Sequence, residues 1–328
     1  MCSTVRMRER LPLVLQMAAW LAAASMWTVC ITEWFGTDSR IAITILQALT
    51  PWLLVWSIPI GVVAAVTRRA ALAIAMVPVA ITGFALAAPI VAHTNPASTT
   101  GSEPTVSVFF TNVLFSNPQP AAAAAAVASA DADVLVIGEF TPEFAAELDR
   151  TLGVTYPYRL ERPAPRPSSN GIALWSRLPI EAGSVIDLAG RPTAEARLML
   201  GDTPVRLLGI HTAPPTHDAG YWGDQLRAIG DRADGSDIRT LLVGDFNGSR
   251  WHPSFRALLH RGFTDAHEAL GRGWSVSWPT DEGWFPPPFV RLDHALYGHG
   301  LSPLGIRDIT VPGSDHRGFV VTFAVIGS

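Results

Sequence analysis

The chain has 328 residues, 48% of them hydrophobic, with a formal net charge of −4. Its mean hydropathy of +0.26 is too high for an ordinary water-soluble enzyme, and the apolar excess lies at the front. There is no lysine, which excludes a lysine nucleophile or a phosphate-loop lysine, and the only cysteines are Cys2 and Cys30, which leaves no disulfide framework for the rest of the chain.

Three long apolar runs, residues 11–31, 41–66 and 70–92, carry almost no charge. Each reaches the ~20 residues that cross a bilayer as a helix, and three in tandem read as membrane helices rather than buried core. Pro51 inside the second run is tolerable there. Arg6, Arg8 and Arg10 precede the first run and Arg68–Arg69 separate the second from the third, whereas the first loop holds only Arg40 beside Glu33 and Asp38. The positive-inside rule puts the N-terminus and the Arg68–Arg69 turn in the cytoplasm and everything after the third run outside a plasma membrane. The first run also fits a cleaved signal peptide, and the two remaining helices give the same orientation. Residues 93–104 are rich in Thr, Ser, Pro and Gly, a linker composition. The expected organisation is a membrane anchor over 1–92, a linker over 93–104 and one globular domain over 105–328.

That domain holds 18 arginines against 24 Asp and Glu, a net charge of −6 and a poor non-specific grip on nucleic acid. Strands are predicted over 105–112, 133–139, 170–176, 195–200, 203–211, 240–243, 289–297 and 318–326. Helices are predicted over 119–130, 141–152 with Thr141 as N-cap, 221–232 and 253–260. Adjacent strand pairs argue against a simple βαβ repeat and for mixed sheets with helices packed outside, an α+β fold.

Several apolar runs end in polar groups. Thr240-Leu-Leu-Val-Gly244 delivers Asp245 and Asn247; 133–138 ends in Glu139; 205–210 ends in His211; Ser314-Asp315-His316-Arg317 precedes the last strand. Singly, each has an ordinary explanation as a turn, a cap or a solvated strand end. Arg291-Leu292-Asp293-His294 interrupts an apolar strand, where a charge needs a partner. Together they supply what phosphoester hydrolysis requires: a cation against developing phosphoryl charge, a positioned water and help for the leaving group. Glu139, Asn112 and Asp315 are the candidate metal ligands, and oxygen donors favour Mg²⁺ or Mn²⁺ over zinc. Asp245 is expected to orient or deprotonate the water, Asn247 to fix the phosphate, His316 steered by Asp293 to meet the phosphoryl oxygen or leaving group, and His211 to add a donor.

Asn112, Glu139, Asn170-Gly171, His211, Gly244-Asp245-Phe246-Asn247, Arg291-Leu292-Asp293 and Ser314-Asp315-His316-Arg317 resemble, in order, the motifs of the endonuclease/exonuclease/phosphatase superfamily. The resemblance covers about residues 105–327 and implies a four-layered α/β/β/α sandwich of the DNase I type, with the site roles just given. Two departures stand out: Gly138 replaces the frequent Gln before the metal-binding Glu, and Gly318 replaces the frequent Pro after Arg317.

Fold does not choose a substrate. Three membrane helices ahead of this domain resemble actinobacterial membrane proteins linked to teicoplanin resistance, similar to undecaprenyl-pyrophosphate phosphatases. That resemblance implies a membrane-lipid substrate, with phosphate removed from a polyprenyl pyrophosphate carrier of cell-wall synthesis. Residues 271–288 contain Trp274, Trp278, Trp284 and Phe285, which suit either a membrane-facing loop that guides a lipid or the domain's own core. The alternatives are a tethered DNA nuclease, a sphingomyelinase-like phosphodiesterase and an anchored binding module without activity.

Overall fold

The structure, a computed structural model, describes residues 2–92, 101–234, 238–280 and 288–327, with the backbone alone for residues 2–12. Most of the expected linker, residues 93–100, lies outside them.

The apolar front folds as helices α1 (Cys2–Trp34), α2 (Ile41–Ala48), α3 (Thr50–Val55), α4 (Ser57–Val66) and α5 (Ala70–Val91). Two stretches, Leu13–Trp34 and Ala70–Val91, are long and apolar enough to cross a membrane, and both are largely unburied by the rest of the chain. The second predicted span is not one straight helix. It bends by 58° between Ile41–Ala48 and Thr50–Val66, so it counts as a third span only if the broken pair crosses together. The break has a local cause. Pro51 has no N–H for the Gln47 carbonyl and its ring crowds that turn; Pro59 does the same to Val55 at the α3–α4 junction. A small cluster including Met26, Leu54, Leu72, Met76 and Val79 holds the helices together. Leu21, Val66, Ile81 and Phe84 stay exposed, as expected of a lipid-facing surface.

The remaining chain is a two-sheet sandwich. The first sheet runs β11 (Leu301–Thr310), β12 (Arg317–Val325), β1 (Thr105–Asn112), β2 (Val134–Gly138), β4 (Ile172–Ser176), β3 (Tyr158–Arg162). The second runs β5 (Ile180–Leu188), β6 (Arg191–Leu200), β7 (Thr203–His211), β8 (Arg239–Asp245), β10 (Asp293–Tyr297), β9 (Thr264–Asp265). Period-two alternation sorts both faces of each central strand. Val108, Phe110, Leu241 and Val243 point between the sheets. Phe109 and Leu135 point out to helices α6 (Pro120–Ser129) and α7 (Pro142–Leu152). Leu208 and Leu242 point out to helices α8 (Ala219–Ala233) and α9 (Pro253–Leu259). This is the expected four-layered sandwich. Thr141 caps α7, its hydroxyl accepting from Phe144 N at 3.2 Å. The predicted strand over 289–297 starts later, at Asp293.

The sandwich rests on the helices through polar contacts. Arg256 pairs with Glu33 at the end of α1. Asp38 accepts from Ser254 N and Ser254 Oγ at the start of α9, both at 2.7 Å. His252 Nε2 lies 3.0 Å from Thr44 O in α2, and Trp52 Nε1 of α3 donates to Phe289 O at 3.2 Å. The Arg68–Arg69 turn joins α4 to α5 and takes no part in these contacts.

Candidate active site

Strand register gathers the polar strand ends. β1 and β2 run parallel with Asn112 beside Gly138, so Asn112 and Glu139 leave the first sheet together. β7 and β8 run parallel with His211 beside Asp245, and antiparallel β10 brings Asp293 opposite Asp245. His316 immediately precedes β12, which pairs with β1. Carboxyl ends of parallel strands and amino ends of antiparallel ones thus share one edge of the sandwich. Two glycines allow close approach there. A Cβ on Gly171 would sit 1.8 Å from Phe140 O, and one on Gly244 2.0 Å from Ile210 O.

All eight sequence-predicted residues line one cleft of about 560 Å³ or pack directly behind it. Asn112 Nδ2 donates to Glu139 Oε1 at 3.0 Å and to Asp245 Oδ2 at 3.2 Å, while Phe115 N donates to Glu139 Oε2 at 2.8 Å. Glu139 and Asn247 hold left-handed backbone, φ 56° and 46°. Asn tolerates this region, but for Glu it is strain of the kind that collects at functional sites. Asn247 N donates to Asp245 Oδ1 at 2.8 Å and its Nδ2 to Thr212 O at 3.0 Å, which orients the carboxamide. His316 Nδ1 lies 2.9 Å from Asp293 Oδ2 and its Nε2 3.8 Å from Asp245 Oδ2. His211 Nε2 stands 3.8 Å from Glu139 Oε1 and 4.0 Å from Asp245 Oδ2, near both but bonded to neither.

Burial and charge set the protonation states. Burial pushes the Asp245 carboxyl up to about 7, against the pull of His316. Burial alone would depress His316, but Asp293 and Asp245 outweigh it and carry the imidazole up to about 10. Burial, reinforced by Arg191 and His316, holds His211 well below its ordinary value, so it is a neutral imidazole. Burial also raises Glu139, and the nearby Asp315 adds to the rise.

The donor set fits a divalent cation. Side-chain atoms of Asp245, Asp293 and His316 lie within 4.8 Å of one another, but His316 as an imidazolium has no lone pair to give, so the oxygen donors are left to hold a cation. Oδ1 of Asp293 and Oδ1 of Asp315 are buried with no hydrogen-bond partner among the described residues. The expected ligands Glu139, Asn112 and Asp315 line the same cleft. Carboxyl and carboxamide oxygens gathered at one edge are the donors that a hard, oxygen-seeking ion prefers.

Sequence reasoning missed Arg191. It is buried at the start of β6, bonds the Asn170 side chain and sits behind the site, where the charges of Asp245 and Glu139 reach it. Nothing in its sequence neighbourhood separates it from the other arginines. Not every residue of the 291–294 motif joins the site. His294 Nδ1 turns to Asp265 at 2.5 Å and Arg291 to Asp308 at 2.8 Å, so these two side chains find structural partners. Of the aromatic loop, Trp278 donates to Asp315 Oδ2 at 3.2 Å, and exposed Trp274 lies 6.0 Å from Trp251. Trp284 and Phe285 lie outside the described residues.

Two six-stranded sheets with outer helices, and acid, amide and imidazole groups at one edge, define a DNase I-like sandwich. The model of the Endonuclease/Exonuclease/phosphatase family matches residues 110–316, and the chain belongs to that family, whose members are phosphoester hydrolases. No curated protein matches. Among solved structures it is similar to D. rerio TDP2 complexed with single strand DNA product, at 17% identity and a TM-score of 0.58, covering 67% of this chain and 98% of that one. An endonuclease/exonuclease/phosphatase from Beutenbergia cavernae is 19% identical with a TM-score of 0.54, covering 68% and 72%. Sphingomyelinase C from Streptomyces griseocarneus is 18% identical with a TM-score of 0.51, covering 67% and 99%. At such identities the likeness carries the fold and not the substrate.

Proposed function

We propose that this protein is a membrane-anchored, Mg²⁺- or Mn²⁺-dependent phosphatase that works outside the plasma membrane on a lipid phosphate, with polyprenyl (undecaprenyl) pyrophosphate as the leading substrate. One observation carries the reading: Glu33, Asp38 and Thr44 fasten the sandwich to the apolar helices at its site-bearing side. A reaction centre held there stays at head-group level, and tethering raises its effective concentration toward lipid. The orientation follows from charge. The contacts lie at the Glu33–Asp38 end of the helices, away from the Arg68–Arg69 turn, which the positive-inside rule assigns to the cytoplasm.

In this reading Glu139, Asn112 and Asp315 hold the cation. Once bound, it neutralises charge developing on the phosphoryl oxygens. Asp245, raised to about 7, suits a base that takes a proton from the attacking water near neutral pH. Asn247 orients the phosphate. His316, kept protonated by Asp293, gives a proton or hydrogen bond to the bridging oxygen as the bond to the terminal phosphorus breaks. Neutral His211 donates a hydrogen bond without adding charge. Water thus yields inorganic phosphate and the lipid monophosphate.

The test is inorganic phosphate release from undecaprenyl pyrophosphate by detergent-purified protein, with Mg²⁺ and with EDTA, beside Asp245→Ala. Metal-dependent release that vanishes in the variant supports the reading. Plasmid nicking or head-group release from sphingomyelin, without phosphate release, would replace it with a nuclease or a phosphodiesterase.

A further inference from the structure

The active-site cleft does not end at its polar residues. On one side it continues onto helix α2, where Ile45, Ala48 and Leu49 form its wall, and Leu114, Phe115 and Phe289 face them from the sandwich. Ile45 is 48% exposed although it borders the cleft. Leu49 is the point where α2 bends into α3, so the break in the second apolar run opens beside the reaction centre. The wall is fixed at both ends. His252 holds the Thr44 carbonyl before it, and the Trp52 indole holds the Phe289 carbonyl after it.

Charge limits what can lie there. No arginine is among the described residues that line the cleft. A nucleic-acid strand carries a charge on each residue and needs guanidinium or ammonium groups along its path. An apolar wall running from a phosphate site onto a membrane helix suits a molecule with one charged end and a hydrocarbon body.

We infer that the bend between α2 and α3 is the chain-binding wall of the active site: the hydrocarbon of a lipid pyrophosphate leaves the reaction centre across Ile45, Ala48 and Leu49 and follows α3 into the bilayer. The inference rests on the lipid-phosphatase reading and adds the residues that set preference for long chains. Ala48 is the sensitive position, because it is the smallest side chain of the wall and a large one there narrows the cleft.

The experiment compares five-carbon, fifteen-carbon and undecaprenyl pyrophosphates in detergent micelles, using the full-length protein and Ala48→Trp. In the unaltered protein kcat/KM should rise with chain length by about tenfold or more, the scale at which apolar pockets discriminate. In Ala48→Trp the rise should flatten, with the undecaprenyl substrate losing at least about tenfold more of its kcat/KM than the five-carbon one. Equal loss on all three substrates, or an undiminished rise, overturns the inference and leaves the phosphatase reading intact. A second measurement needs no turnover. A benzophenone residue in place of Ile45 should photolabel with a radioactive prenyl phosphate in vesicles, well above the same residue in place of exposed Ile74 on α5. If no lipid pyrophosphate is hydrolysed, the phosphatase reading fails on its own account, and labelling at position 45 no stronger than at 74 overturns the wall.

Discussion

His316 Nδ1 and Asp293 Oδ2 meet at 2.9 Å across the two sheets, since Asp293 opens β10 of the second and His316 precedes β12 of the first. The contact joins the halves of the sandwich at the site edge and keeps an otherwise disfavoured buried imidazolium charged. It is anchored in turn: Ser277 Oγ accepts from Leu292 N at 3.0 Å and Asp293 N at 3.3 Å. Asp293→Asn keeps the volume and removes the charge that holds the proton on His316. Proton transfer by a positioned group contributes about 10²–10⁴-fold. The expected result is a kcat lower by about that factor with KM little changed, measured by phosphate release. An unchanged kcat would take His316 out of the reaction.

Glu139→Gln tests the cation. Oε1 of Glu139 accepts from Asn112 Nδ2 and Oε2 from Phe115 N, and burial disfavours the charge. Replacing it with an amide removes a penalty in the metal-free protein and a ligand in the loaded one. Calorimetry should find Mn²⁺ bound at least about tenfold more weakly. The melting temperature without metal should be unchanged or higher, and its rise on adding Mg²⁺ should be lost. Undiminished Mn²⁺ affinity would remove Glu139 from the ligand set.

Arg256→Met tests the seating of the sandwich on the helices. The Arg256 and Glu33 side chains are 13% and 2% exposed, and removing Arg256 leaves the buried Glu33 carboxyl without its partner, a destabilising loss. The melting temperature in detergent should fall by several degrees. Turnover of a small soluble phosphoester should persist, because Arg256 does not reach the cleft. Equal melting temperatures would mean that the contact does not hold the two parts together.

What the sequence made legible follows from burial. Central strands such as β1, β2, β7 and β8 are apolar on both faces and end abruptly in Asn112, Glu139, His211 and Asp245, so both strand and site residue stand out. The unforeseen strands β3, β5, β9 and β11 are the four edges of the two sheets. Edges mix charge, glycine and proline to resist pairing, as in Ile-Glu-Ala-Gly-Ser-Val of β5 and the bulge between Pro303 and Gly305 of β11. Arg191 was illegible for another reason. Its contact with Asn170 arises where the two sheets pack, since Asn170 precedes β4 of the first sheet and Arg191 opens β6 of the second. Glu33 and Asp38 counted in the sequence only as acids in a loop; their partners on α9 lie more than 200 residues away.

The same seating contact should respond to pH through His252. Its ring accepts from Ser249 N at Nδ1 and donates from Nε2 to Thr44 O, an arrangement that requires the neutral imidazole. Burial pushes it down to about 4, below the usual ~6.5 of an exposed histidine. The docked state therefore binds fewer protons than the undocked or unfolded state, and stability rises with pH between those values. The contribution is fully present above about pH 6.5 and is lost progressively as the pH falls toward 4, by roughly 3 kcal/mol in all. His252→Gln keeps an amide donor near Thr44 and cannot titrate. The wild-type protein should lose melting temperature between pH 7 and pH 4.5 more steeply than His252→Gln. Parallel curves for the two proteins would show that the acid response belongs to other groups.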